Sequence, residues 1–233
     1  MITLYEPIFQ QQSPIAIHTA STYRAVGLER TLTLGYPNQA LPGRYKGDNF
    51  YFDDPPPMHL DGKLATLERI HYHHRSEHTI DGHDFDFEVH LVNQLSRPED
   101  ASTAVVLAAF FSITAAPPAA QEESLPAADL FKGLRSWRAR HAPPGSRELG
   151  EHDECEERGQ INPRTFLPRG LHRLFRYEGS LTTKPFDQIV RWVVFRDPIL
   201  VRKADADDLP EPEHAREVQP LDRRYVLRAF DLP

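Results

Sequence analysis

Apolar residues along this chain come in short runs of roughly four to nine, cut apart by 21 prolines and 12 glycines. Some runs alternate apolar with polar positions and others are continuously apolar, and many are rich in β-branched and aromatic side chains. Such runs build strands rather than helices. The pattern predicts strands over Thr31–Leu34, Asn49–Phe52, Ala65–His74, Phe85–Asn93, Ala104–Ile113, Ile189–Phe195 and Arg224–Phe230. One longer helical stretch is predicted over Ala127–Arg140, entered after Pro126 and closed by Pro143-Pro144-Gly145. Residues 115–128, residues 141–160 and Lys203–Glu213 read as polar surface loops, and no internal repeat is visible. The expected fold is therefore dominated by sheet.

Alternation then assigns faces. Within Leu67–His74, His71 and His73 project together while Ile70, Tyr72 and His74 face the other way. Asp81-Gly82 signals a turn, after which Phe85–Asn93 can return antiparallel. That return puts Glu88 and His90 on one face and Phe87, Val89 and Leu91 on the other.

Composition narrows the class. A chain of 233 residues suits a single domain over 1–233, and 39% apolar residues are enough for a sizeable core. A net charge of −7 with scattered Lys and Arg gives no footprint for nucleic acid. No run approaches the roughly 18 apolar residues that span a bilayer, and the start lacks a signal-peptide pattern, so no membrane partner is expected. Cys155 is the single cysteine and forms no internal disulfide, which points to a reducing, cytoplasmic setting. The carboxylates around it, Glu151 to Glu157, raise a thiol pKa and argue against redox chemistry.

Of 12 histidines, six lie between His71 and His90. Two imidazoles on one strand face, joined by a third on the neighbouring strand, make a metal site of His71, His73 and His90. Three imidazoles with a fourth open position form the arrangement of catalytic zinc, whereas structural zinc closes all four positions, often with thiolates that one cysteine cannot supply. Glu88 is placed to receive a ligand's outer ring N–H, as a supporting carboxylate rather than a ligand. His74 faces away and His83 lies in the turn. His18, His59, His141, His152 and His172 read as ordinary core or surface residues, and pattern alone leaves His78 open.

These residues resemble the α-class carbonic anhydrases. The family signature is met position by position in Ser76-Glu77-His78-Thr79-Ile80, Phe85 and Glu88-Val89-His90-Leu91-Val92, preceded by His71-Tyr72-His73. A second block, Gly179-Ser180-Leu181-Thr182-Thr183-Lys184-Pro185, looks like the family's Gly-Ser-Leu-Thr-Thr-Pro-Pro loop. Further matches are Gln12-Ser13-Pro14, Gly47 to Phe50, Asn162-Pro163-Arg164, Trp192 to Ile199 and Gln219-Pro220-Leu221 to Arg224, so the resemblance covers about residues 12 to 230.

The resemblance implies a mainly β single domain: a large twisted, mostly antiparallel central sheet of about ten strands with short peripheral helices and zinc at the base of a cone. It implies reversible hydration of CO₂ to bicarbonate and a proton, by attack of zinc-bound hydroxide, with CO₂ and bicarbonate as small-molecule partners. Carried over residue by residue, Thr182 accepts the hydroxide proton and Glu77 accepts the hydrogen bond from Thr182. Val92, Val106, Leu181, Thr183 and Trp192 line the substrate pocket. His78 becomes a buried structural residue near Glu88 and Tyr177.

The chain also departs from the family. Asp48 stands at the proton-shuttle position, and a carboxylate with a pKa near 4 relays poorly from a water of pKa about 7. His59 and His214 are alternative relays. Arg69 stands where many relatives have a Gln that supports a zinc ligand, His74-Arg75 alters the pocket rim, and Ala215 replaces a frequent Trp. Phe186 stands roughly where disulfide-bearing secreted relatives have a Cys. These changes motivate a second reading, a related zinc enzyme acting on a larger substrate, and a more remote third, a binding module. Nothing in the sequence sets the oligomeric state.

Overall fold

The computed structural model describes residues 10–97, 102–114, 156–203 and 215–232. The strands, in chain order, are β1 (Ala16–Ile17), β2 (Tyr23–Arg24), β3 (Leu32–Leu34), β4 (Leu41–Lys46), β5 (Asn49–Phe52), β6 (Pro57–Leu60), β7 (Lys63–His74) and β8 (Thr79–Ile80). They continue as β9 (Phe87–Leu95), β10 (Ala104–Thr114), β11 (Glu157–Ile161), β12 (Leu174–Gly179), β13 (Val190–Phe195), β14 (Ile199–Arg202) and β15 (Leu227–Arg228). Among the described residues, the longer helical elements are single 3₁₀ turns such as Leu28–Thr31 and Pro163–Phe166. No described helix is long and apolar enough to cross a membrane.

Among the described residues, thirteen strands form one sheet, whose main path runs β11-β4-β5-β7-β9-β10-β13-β12-β15-β2. Most neighbours are antiparallel; β10 with β13, β10 with β14, and β15 with β2 are parallel. A separate two-stranded pair joins β1 to β8.

The long central strands are long because both their faces are buried. Along β10, Val105, Leu107, Ala109 and Phe111 enter one core, while Ala104, Val106, Ala108 and Phe110 enter a second. Burial on both sides is why β10 reads as a nearly continuous apolar run instead of an alternating one, while β9 buries Glu88, His90 and Asn93 among its apolar residues. The first core holds Ile70, Tyr72, Phe87, Val89 and Leu91, and the second holds Val92, Val106, Tyr177 and Trp192.

The expected strands at the centre are present, with ends shifted. Phe85 lies before β9 and stacks on Phe110, centroids 4.2 Å apart. The expected strand Arg224–Phe230 shrinks to β15. The Arg224 guanidinium donates to the carbonyls of Leu221, Glu178 and Pro220, which fixes that segment as a bend. Residues 141–160 are not all loop, because Glu157–Ile161 pairs along β4 as an outer strand with Ile161 buried. The helix expected over Ala127–Arg140, Cys155, His141, His152 and His214 lie outside the described residues, as does nearly all of Lys203–Glu213.

β7 carries a bulge. Leu67 pairs with Asn93 and Arg69 with Val92, so Glu68 is an extra residue. The phase of alternation changes there, and Leu67 and Ile70, three apart, share the first core. From Arg69 onward Arg69, His71 and His73 face the second core's side of the sheet.

Candidate metal centre

Strand register brings the predicted ligands together. His71 pairs with His90, and His90 with Ala108, in one cross-strand row. Two residues along, Arg69, Val92, Val106, Trp192 and Tyr177 form the next row on that face. On the other side of the histidine row, His73 pairs with Glu88. An apolar wall of Val92, Val106 and Trp192, all buried, thus stands directly beside the imidazoles.

One ligand-type nitrogen from each of His71, His73 and His90 lies within 4.8 Å of the others. The Nε2 of His71 faces the Nδ1 of His90 at 3.2 Å. Tetrahedral zinc with N ligands at about 2.0–2.1 Å puts its ligand nitrogens about 3.3–3.4 Å apart, which this separation nearly matches. The Nε2 of His73 is buried without a hydrogen-bond partner. An orphaned inward nitrogen, two imidazoles with facing nitrogens and no thiolate are the donor set of a borderline cation such as zinc.

The ring nitrogens are held ready to bind. Burial, the neighbouring His73 and His90, and the Arg69 charge push the His71 pKa well below its ordinary value. Burial likewise takes His73 down to about 4, despite the opposing pull of Glu77. Both rings are therefore neutral at physiological pH, and a metal meets lone pairs there instead of protons.

Glu88 supports this centre from behind. Its Oε1 accepts from His90 Nε2 at 2.7 Å and His78 Nδ1 at 2.6 Å, while Oε2 accepts the backbone N–H groups of Glu77 and His78, both at 2.8 Å. Burial alone would favour the neutral acid, but His78 and His90 hold the carboxyl ionised, well below its usual range. His78, Glu88 and His90 also lie close enough to suggest a second cage. With four donors already on the carboxylate, the trio is a hydrogen-bonded support. The Nε2 of His78 lies 2.7 Å from the Tyr177 hydroxyl.

The loop after β12 closes the site. Trp192 Nε1–H donates to the Ser180 carbonyl at 3.1 Å, and the Ser180 N–H donates to Ser13 Oγ at 3.1 Å. Gly179 is required at this join, because a Cβ there would come 2.1 Å from Ser13 Oγ. Thr182 is buried, Leu181 is partly buried against the second core, and Thr183 is exposed.

The other expected residues are placed as follows. No hydrogen bond joins Thr182 to Glu77. The Glu77 carboxylate accepts the Arg216 backbone N–H at Oε1 at 3.1 Å, while Oε2 lies 3.4 Å from His73 Nε2 without a hydrogen bond. Arg69 offers His71 no acceptor. The outer Nδ1 of His71 is buried and unpartnered, and the Arg69 guanidinium donates to Glu68 at 2.7 Å. Asp48 sits in the two-residue turn between β4 and β5. His83 is exposed in the turn, and the His74 ring lies 4.7 Å from Phe87, across the sheet from the ligands. Residue pattern did not mark the contacts of Ser13 and Arg216; Ser13 lies in the Gln12-Ser13-Pro14 match to the family, but nothing local shows what either touches.

A broad β-sheet that brings three imidazoles together beside an apolar wall defines an all-β protein with a histidine cluster that could hold a metal ion. Comparison with known proteins gives the family. The model of the eukaryotic-type carbonic anhydrases matches residues 8–230, and the chain belongs to that family. Similar relatives include a carbonic anhydrase of Nostoc, 34% identical over 70% of this chain and 54% of that protein, and human carbonic anhydrase 6, 26% identical over 95% and 76%. Alpha carbonic anhydrase 7 of Arabidopsis thaliana is 30% identical over 72% of this chain. The chain thus spans about half the length of the Nostoc relative. A similar solved structure is the alpha-carbonic anhydrase of Thermovibrio ammonificans in complex with the inhibitor sulfanilamide. It has a TM-score of 0.67 and 27% identity, covering 93% of this chain and 86% of that one.

Proposed function

We propose that this protein binds one zinc ion at His71, His73 and His90 and catalyses the reversible hydration of CO₂ to bicarbonate and a proton. The observation that carries the reading is the pairing of two adjacent rows on one sheet face: the row with His71 and His90, beside the row with Val92, Val106 and Trp192. Zinc, when bound there, supplies a hydroxide nucleophile at neutral pH by lowering the pKa of water to about 7.

The chain's own residues do the rest. The buried apolar row takes up an apolar substrate and keeps bulk water off it. Thr182 accepts the nucleophile's proton in a hydrogen bond, which orients the attacking lone pair. Glu77 Oε2, buried and without a hydrogen bond, is the acceptor left for the Thr182 hydroxyl. Glu88 fixes the His90 ring by taking its outer N–H.

The test is CO₂ hydration by the purified protein with its metal content measured alongside. Activity should accompany about one zinc per chain and disappear with chelation and in His90→Ala. Thr182→Ala should keep its zinc and lose about 10²-fold in rate, the cost of a misaligned reacting group. A zinc-loaded protein without hydration would overturn this reading and favour a larger substrate.

A further inference from the structure

Arg216 touches three separate parts of the chain around the site. Its backbone N–H donates to Glu77 Oε1 at 3.1 Å. Its guanidinium donates through Nη1 to the Ser13 carbonyl at 2.7 Å and through Nη2 to Gln12 Oε1 at 2.9 Å. Longer Nη1 contacts reach the Leu181 carbonyl at 3.4 Å and Ser180 Oγ at 3.5 Å. The guanidinium carbon lies 3.8 Å from the centre of the Phe186 ring, on the far side of the same loop. Gln12 closes the loop as its Nε2 donates to the Phe186 carbonyl at 3.2 Å.

Two of these attachments bracket Thr182, with Leu181 before it and Phe186 four residues after. The third is the carboxylate that must meet Thr182. We propose that Arg216 is a positioning residue that sets the distance between Glu77 and Thr182, holding one through its backbone and the other's loop through its side chain. It rests on the reading of Thr182 and Glu77 given above. A guanidinium suits this task because its planar fork donates in several directions while its face stacks on an aromatic ring. Lysine offers a charge without the fork or the flat face. Arg216 meets the pocket only at the Leu181 backbone carbonyl and not at the buried Val92, Val106 and Trp192 side chains, so its effect falls on the rate of the chemical step and leaves substrate capture alone.

The experiment compares Arg216→Ala, Arg216→Lys and Phe186→Leu with the unmodified chain for zinc content, kcat and KM of CO₂ hydration, and hydrogen exchange of residues 180–186. Arg216→Ala is expected to lower kcat roughly 10- to 100-fold at unchanged zinc content and KM, with faster exchange across 180–186. Arg216→Lys should recover only part of that loss, and Phe186→Leu should show a smaller loss of the same kind. Should Arg216→Ala fail to fold, Arg216→Lys and Phe186→Leu decide: a loss of kcat with zinc and KM intact supports the role. Wild-type kcat per bound zinc in the folded variants overturns it, whatever their melting temperatures. An inactive but zinc-loaded parent protein would defeat the hydration reading alone. Exchange over 180–186 would then still test the positioning role, and unchanged exchange in Arg216→Ala would overturn it.

Discussion

The two faces of β9 solve opposite problems with alternate residues. On one face Phe87, Val89 and Leu91 are fully buried in the first core. On the other, Glu88 and His90 are just as deeply buried, yet each polar atom is matched to a partner or aimed at the metal centre. Carbon on the first face stabilises through volume and tolerates some repacking. The polar face is all or nothing, since a buried donor or acceptor left alone costs about 1–3 kcal/mol, and more if charged. The same strand therefore carries a forgiving side and an unforgiving one.

That contrast can be broken from either side. The largest effect expected is on stability: Leu91→Ala should lower the unfolding free energy by about 2–5 kcal/mol in a denaturant titration. Zinc affinity of the folded fraction should not change, and a parallel loss of affinity would mean that the faces are not independent. Next comes Glu88→Gln, which replaces one acceptor oxygen with an NH₂ facing existing donors. Zinc affinity, read against a competing chelator, should fall about 10- to 100-fold; an unchanged value would remove Glu88 from the support of His90. The smallest effect lies at the rim, away from both faces. If Asp48 relays protons poorly, Asp48→His should raise hydration about 10-fold in dilute buffer, and the gain should vanish as imidazole buffer is added. Rates that ignore both buffer and substitution would sink this idea.

Much of this arrangement was legible in the sequence where periodicity and chemistry coincide. An apolar run announced β10, and alternation announced β7 and β9 and placed His71, His73, Glu88 and His90 on one face. Short outer strands such as β2 and β14 left little signal, because two to four residues pairing on an outer strand need no pattern of their own. The bulge was invisible for a related reason, as one extra residue looks like an imperfect alternation until the partner strand is known. Contacts such as Ser13 with Ser180, or Arg216 with Gln12, join positions 167 and 204 residues apart. No local rule reports them. The Thr182 to Glu77 contact was expected from family likeness alone; in the structure Glu77 Oε1 accepts from the Arg216 backbone N–H, and Oε2 has no hydrogen bond.

Glu68, the extra residue of the bulge, bears on how the length of this strand could change. Because Leu67 and Arg69 already pair with adjacent residues of β9, removing Glu68 would restore ordinary alternation and leave every other side chain on its present face. Elsewhere in β7 a one-residue deletion would turn one end of the strand over and put histidines into the apolar core or leucines on the imidazole face. The strand thus has one position where its length could change by a residue without a change of meaning. It is occupied by the carboxylate that answers the charge of Arg69, so shortening the strand there would leave that cation facing His71 without its partner.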